Sequence, residues 1–329
     1  MNYGYLILGS VCLLLAVGDL LWTTLWVEGG AGPMTSRLMG WTWDGLRSIA
    51  SNRPRWLSVA GPVILIGSLV VWITLLWVGW TFLFAGAENA LIDTRDAGPI
   101  SWTERLYFVG YSVFTMGNGD FTPQDGVWQV VTALTTASGM LFVTLSVTYV
   151  LSVLGAVTQK RALASSLSGL GSRSTEILAT SWNGEEFQGL ELPLNTISTQ
   201  INTLTSNHKA YPILHYFYTP DTERAPATTI TVFDEMLTLL QFGVPEQHRP
   251  NALAIRQARS SVNTYLETLD TAFVQAADES PPLPAISDVH EGGVPTVARE
   301  EFHDAMKTVD DRRRHLLGLL QSDERQWPQ

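Results

Sequence analysis

Residues 113–123 read VFTMGNGDFTP, with Gly117 and Gly119 on either side of Asn118 and Asp120 directly after. Glycine reaches backbone dihedrals that a β-carbon forbids. A loop with a glycine at every second position can therefore turn successive carbonyl oxygens to one side and stack them in a line. Such a row can replace the water shell of a cation. The chemistry suggested is coordination and release, with no covalent bond made or broken.

A loop of that kind needs holding at a fixed depth. Before it, Ser101 and Glu104 form a capping-box pattern with Pro99 just upstream, and residues 102–114 continue without proline. A helix of that length covers only about 20 Å, too short to cross a bilayer, so the segment is expected to be re-entrant. Irregular backbone at membrane depth is tolerated only where protein or a water-filled path surrounds it. The helix would also turn the negative end of its dipole toward any cation held beyond residue 114.

Three apolar runs surround this segment: residues 5–27, 57–85 and 127–156. Each is long enough to span the hydrocarbon core. The first run has no basic residue ahead of it and no small-x-small cleavage site after it, so it is expected to remain as a helix. Of the 329 residues, 46% are hydrophobic and 12 are tryptophan, a membrane composition. The fold expected is an all-α membrane protein with three transmembrane helices, a re-entrant pore helix and loop, and a helical domain after them.

In this setting Thr115-Met116-Gly117-Asn118-Gly119-Asp120 resembles the Thr-Val-Gly-Tyr-Gly-Asp selectivity-filter signature of the potassium channel superfamily. The resemblance covers residues 57–160, with outer helix, pore helix, filter and inner helix in the family's order. It implies a homotetramer around one central pore. It also implies ion coordination by the carbonyls of Thr115, Met116, Gly117 and Asn118 with the Thr115 hydroxyl, and places Gly119 in the same filter. Potassium is then the permeant ion and no cofactor is called for. A non-selective sodium and potassium channel, and a non-conducting membrane-anchored sensor or scaffold, are the competing readings.

The departure from the family is Asn118, where potassium-selective members carry tyrosine or phenylalanine. A smaller polar side chain changes how the filter is braced from behind. Tyr107, Phe108 and Tyr111 lie one or two helical turns upstream, and the Tyr111 hydroxyl is expected to reach the Asn118 amide or the Asp120 carboxylate. Tyr107, Tyr111 and Asp120 are therefore the expected filter supports.

On the inner helix, Gly139 falls where the family often has a hinge, and a glycine also lets helices approach closely; both readings stand. Thr132, Thr135, Thr136, Ser138, Thr144, Ser146 and Thr148 suggest a wet cavity face, unless they bond back to their own helix. Val147 and Leu151, one turn apart, are candidates for a hydrophobic gate at the cytoplasmic mouth. In the first run Asp19 must be partnered by a neighbouring helix or by local groups such as Thr23 or Trp22, or else serve ion passage. Packing of this extra helix around the outer helix would turn Asp19 and Trp22 toward protein.

Arg37, Arg47, Arg53 and Arg55 precede the second run, and Lys160 and Arg161 follow the third. By the positive-inside rule these ends are cytoplasmic. The amino terminus is then external, and the protein is a multi-pass cell-membrane protein with its carboxyl-terminal half in the cytoplasm. The expected division is residues 1–56 for the extra helix and a cytoplasmic linker, 57–160 for the pore domain, and 161–329 for a helical domain.

Residues 165–174 read as a flexible link or helix end, and helices are expected over 192–207, 232–242, 251–276 and 297–321. Net charge is −11, which argues against nucleic acid as a partner. Residues 310–315, DDRRRH, are expected to be a solvated helix face. His208 and His215 lack a carboxylate or cysteine in ligand spacing, so no metal beyond permeant cations is expected. Cys12 is alone and cannot form a disulfide within the chain. No nucleophile and base pairing is present, so an enzyme is not expected. An unidentified cytoplasmic ligand remains open.

Overall fold

The computed structural model describes residues 1–50, 54–95, 98–270 and 274–328. Arg53, counted above among the basic residues, lies outside them, as do residues 271–273 of the expected 251–276 helix.

Twelve α-helices and one small sheet are found among the described residues: α1 (Tyr3–Leu25), α2 (Pro33–Ala50), α3 (Ala60–Ala85), β1 (Leu91–Asp93), α4 (Trp102–Val113), β2 (Phe121–Pro123), α5 (Val127–Ser168), α6 (Ser174–Ser181), α7 (Glu191–Ala210), α8 (Pro226–Thr238), α9 (Ala252–Asp270), α10 (Ile286–Glu291), α11 (Arg299–Met306) and α12 (Asp310–Ser322). Three stretches are long and apolar enough to cross a membrane, Tyr3–Leu25, Arg55–Ala85 and Val127–Ser168. The protein is thus an all-α membrane protein.

The chain divides into two compact units, Met1–Gly45 with Gly61–Leu154, and Leu46–Ala60 with Gly155–Gln329. This division assigns residues 46–60, expected as linker up to 56 and as pore domain from 57, to the carboxyl-terminal unit, and splits α5 after Leu154.

In the first unit, α1 and α3 cross at Gly9 and Gly79. A Cβ on Gly9 would lie 2.7 Å from the Gly79 carbonyl oxygen, so the backbones touch where only glycine fits. Asp19 is buried in this packing and is tied to α2, absent from the sequence reading. Its carboxylate accepts from Met34 N at 2.7 Å, Thr35 N at 3.2 Å, the Thr35 hydroxyl and Trp72 Nε1 at 2.8 Å. It therefore caps the amino end of α2 and gains that helix's dipole. The neighbouring-helix reading of Asp19 holds, but the partners differ from those expected. Thr23 instead accepts from Gly32 N, and Trp22, 41% exposed in the single chain, donates to Gly29 O rather than to Asp19. Thr35, Met39 and Trp43, one turn apart, form the buried face of α2.

In the second unit α7 and α9 pack along most of their length, with Leu194, Ile197, Ile201 and Leu204 facing Ala258, Val262 and Tyr265 in the core. Every residue of α8 is buried, including the β-branched run Thr228 to Val232. The expected 232–242 helix therefore starts six residues earlier, at Pro226, and ends in a π-helical turn, Leu239–Gly243. The expected 297–321 helix is two, interrupted by a 3₁₀ turn at Lys307–Val309, and the described part of α9 runs to Asp270.

The segment 310–315 corrects the solvated-face reading. Arg313 is 1% exposed and pairs with Glu235 at 2.8 Å, while Arg312 and Arg259 both pair with the buried Asp234, at 2.6 and 3.0 Å. Burial acts to raise the Asp234 pKa, but two guanidinium groups outweigh it and hold the carboxyl below its usual range. Glu235 has one such partner, and burial leaves its pKa raised.

Candidate functional site

The short helix α4 carries the capping box read from the sequence: Glu104 N donates to Ser101 Oγ, and Ser101 N donates to Glu104 Oε2 at 2.8 Å. Its last six residues, Phe108 to Val113, are buried. The helix is locked to both flanking spans. From α3, Trp77 Nε1 donates to the Leu106 carbonyl at 2.8 Å, and the Trp77 ring fills the space over Gly110. From α5, Gly139 lies against the Val113 backbone, so that a Cβ there would overlap the Val113 carbonyl. Trp80 Nε1 donates to the Ser138 hydroxyl at 2.9 Å and joins the two spans beside this contact.

The loop leaves α4 with Thr115 at φ 58°, Gly117 at φ 59° and Gly119 at φ 83°, all left-handed. Met116 and Asn118 between them are not. Alternation of hand from residue to residue aligns successive peptide planes, with the carbonyls on one side and the N–H groups on the other. Thr115 reaches this conformation without being glycine, a cost of about 1–3 kcal/mol that the surroundings must offset. Met116 N donates to Tyr111 O at 2.8 Å and Thr115 N to Ser112 O at 3.2 Å, pinning the start of the loop to the helix end. Among the described residues none donates to the carbonyl oxygens of Thr115, Met116, Gly117 or Asn118, and all five residues from Thr115 to Gly119 are exposed in the single chain. A row of aligned acceptors is thus left open.

Behind the loop, the Asn118 amide donates to the Tyr107 hydroxyl and, at 2.9 Å, to Asp120 Oδ2. The Tyr111 hydroxyl does not reach Asn118 or Asp120, as expected from sequence; it donates to the Phe121 carbonyl at 2.7 Å. Tyr107 and Tyr111 meet edge to face with ring centroids 5.2 Å apart. Tyr107 therefore takes the partner expected for Tyr111, and Tyr111 holds the strand that follows.

Sequence reasoning missed the outer tether. β1 and β2 pair antiparallel, Ile92 opposite Thr122, which brings Thr94 beside the end of the loop. The Thr94 hydroxyl lies 3.0 Å from Gly119 O and 2.8 Å from Asp120 O, and Thr94 N donates to Asp120 O. Arg95 pairs with Asp93 at 3.1 Å and Glu104 at 3.3 Å and lies over the Phe121 ring. In the sequence the tether shows only as the acidic residues Asp93 and Glu104 on either side of Arg95.

On α5 most of the hydroxyls bond back to their own helix: Thr132, Thr135, Ser138, Thr144 and Thr148 donate to backbone carbonyls three or four residues earlier. This favours the back-bonding reading over a cavity lined by free hydroxyls. Val147 and Leu151 are exposed in the single chain, at 54% and 65%. In the second unit His208 is buried, with Nδ1 at 3.0 Å from Leu204 O and its ring edge-on to Tyr265. Burial and the Lys160 charge hold the His208 pKa well below the usual value.

A capped helix too short to cross, followed by a strand of alternating hand and framed by two spanning helices, defines the pore unit of an ion channel. Residues 67–156 match the ion channel family, and they form a pore domain of the potassium channel superfamily. The chain as a whole belongs with a membrane protein, YdjJ of Bacillus subtilis (strain 168), a relative described as uncharacterized. The two are 43% identical over 328 residues, 100% of this chain and 96% of the relative. No solved structure matches the chain. The matched family is one of ion channels, not of enzymes.

Proposed function

We propose that the protein is a homotetrameric channel conducting monovalent cations through a cell membrane, with potassium preferred over sodium. The observation that carries this reading is the open row of carbonyls at Thr115, Met116, Gly117 and Asn118, set by left-handed backbone at Thr115, Gly117 and Gly119. One chain supplies one wall, and cyclic symmetry among identical chains is the usual way to close the rest. Selectivity follows from the number and field of coordinating oxygens. Support for a regular set of sites comes from Tyr107, Asp120 and Thr94, which hold the far end of the loop through Asn118, Gly119 and Asp120, while the Tyr111 and Ser112 carbonyls hold its start.

Val147 and Leu151 are proposed to narrow the inner mouth. Gly139 is proposed to act with them as the close contact that lets α5 bear on the end of α4, a role supported by its overlap-free fit to Val113. The amino terminus is external and the carboxyl-terminal half cytoplasmic in this reading, from Arg37, Arg47, Arg55, Lys160 and Arg161.

The test is ion flux through the purified full chain in liposomes, with reversal potentials taken in mixed potassium and sodium. A reversal that follows the potassium gradient is expected. Equal permeability would establish the non-selective reading, which rests on Asn118 in place of an aromatic residue, and absence of flux would establish the scaffold.

A further inference from the structure

The carboxyl-terminal unit holds an arginine-lined cavity. It encloses about 460 Å³, and its walls include Gln241, Arg249, Ala252, Ile255, Arg256 and Arg259. Glu246 is the one acidic side chain lining it. Three guanidinium groups on one cavity are unusual in a chain of net charge −11. Self-repulsion among them needs an offset: Asp234 pairs with Arg259 as well as with Arg312, while Arg249 and Arg256 have no ion pair among the described residues.

Around the cavity the arginines are anchored at one edge and left open at another. Arg249 Nε donates to the Val244 carbonyl at 2.8 Å, and no described residue accepts from its two terminal nitrogens. Arg259 Nε donates to Gln241 Oε1 at 3.2 Å and Nη1 to Asp234 Oδ2 at 3.0 Å. Its Nη2 is buried with no partner among the described residues. Arg256 is exposed and has no ion pair among them. That Arg259 nitrogen lies beneath the cavity wall and adds charge there without touching what the cavity holds, so Arg249 and Arg256 are the groups with free donors.

Two backbone features point the same way. Ala252 and Ile255 belong to the first turn of α9, so the positive end of a 19-residue helix lies at the cavity wall. Gln241, which orients Arg259, sits in the π-helical turn Leu239–Gly243 that follows α8.

We propose that this cavity binds a phosphorylated small molecule, with Arg249 and Arg256 on the phosphate oxygens, the Arg259 guanidinium adding positive charge from the wall, and Ile255 against its apolar part. The planar fork of arginine matches phosphate oxygens two at a time. Several forks on one site suit an anion of charge beyond −1, which separates phosphate from a simple carboxylate. The phosphate can come from a soluble compound or from a lipid headgroup; the recognising chemistry is the same.

The full chain in phosphatidylcholine nanodiscs distinguishes the sources. Pyrophosphate and ATP are titrated by calorimetry, and in a parallel arm the nanodiscs carry a phosphoinositide and the thermal midpoint is read. We expect saturable binding in one arm, weakened about ten-fold or more by Arg256→Gln and further by Arg249→Gln/Arg256→Gln. Arg256 is exposed and pairs with nothing described, so its variant tests the site without disturbing the fold. Arg173→Gln, an exposed arginine outside this cavity, should bind as the parent does. Response to the soluble anions, or to the phosphoinositide alone, supports the site and names the source. No response in either arm, or binding unchanged by Arg256→Gln and the double variant, overturns it. The readout involves no ion flux, so its failure leaves the channel reading standing.

Discussion

At the scale of single residues, Asn118 is where this chain parts from the potassium channel superfamily, and its environment explains how a small polar side chain can serve there. The Asn118 amide has two acceptors, the Tyr107 hydroxyl and Asp120 Oδ2, so both of its N–H groups are engaged without a large ring. Tyr107 is thus predicted to set how stiffly the filter holds its width. Tyr107→Phe keeps the ring and its edge contact with Tyr111 and removes only the acceptor. A hydrogen bond of this kind contributes about 0.5–1.5 kcal/mol. The potassium to sodium permeability ratio should therefore fall by about two- to ten-fold, with conduction retained, as read from reversal potentials. The exposed Tyr3→Phe should leave the ratio unchanged. That some tyrosine of α4 would brace position 118 was readable from helical spacing. Which one was not, because the choice depends on how far the Thr115 to Gly119 backbone turns before Asn118 faces back.

At the scale of elements, close approach decides which glycines matter. Gly139 on α5 abuts the Val113 backbone, so Gly139→Ala forces a shift of α4 where the filter begins. Overpacking of this kind typically costs about 1–3 kcal/mol. We expect a lower thermal midpoint together with reduced flux. Gly155→Ala on the same helix meets nothing within 4 Å and should preserve both. A Gly139→Ala protein of parental stability and altered open probability would instead establish a hinge.

Other elements resisted reading because their partners are remote in sequence. The helix α2 begins with Pro33 after a glycine-rich stretch, and its amino end is capped by Asp19 of α1 rather than by a neighbour, so no local cap announced it. The DDRRRH run looked solvated because charge runs usually are. Its true partners, Asp234 and Glu235, sit 78 residues away on α8. Arg313→Met should strand Glu235 in a buried site and cost about 3–5 kcal/mol, measured by denaturant unfolding. The double variant Arg313→Met/Glu235→Met, which removes both charges, should recover most of that loss.

At the scale of the whole molecule, the three spans, the re-entrant helix and the change to polar helices were legible because a bilayer imposes length and composition on anything that crosses it. The carboxyl-terminal unit has no such constraint, and its boundaries shifted by several residues wherever burial overrode local propensity, as in α8. Assembly follows from the same site. If four chains converge on the open carbonyls, a fitting cation binds only the assembled form and stabilises it against dissociation by mass action, about 2.7 kcal/mol when present at a hundred times its dissociation constant. The assembled species should therefore carry about four chains, by light scattering in detergent. It should come apart at a higher temperature in potassium than in sodium at equal ionic strength, because oxygens spaced for the larger ion hold the smaller one poorly. Equal dissociation temperatures would mean that the Asn118-braced filter does not distinguish the two ions, and a particle of one or two chains would leave the carbonyl row with no ring to complete.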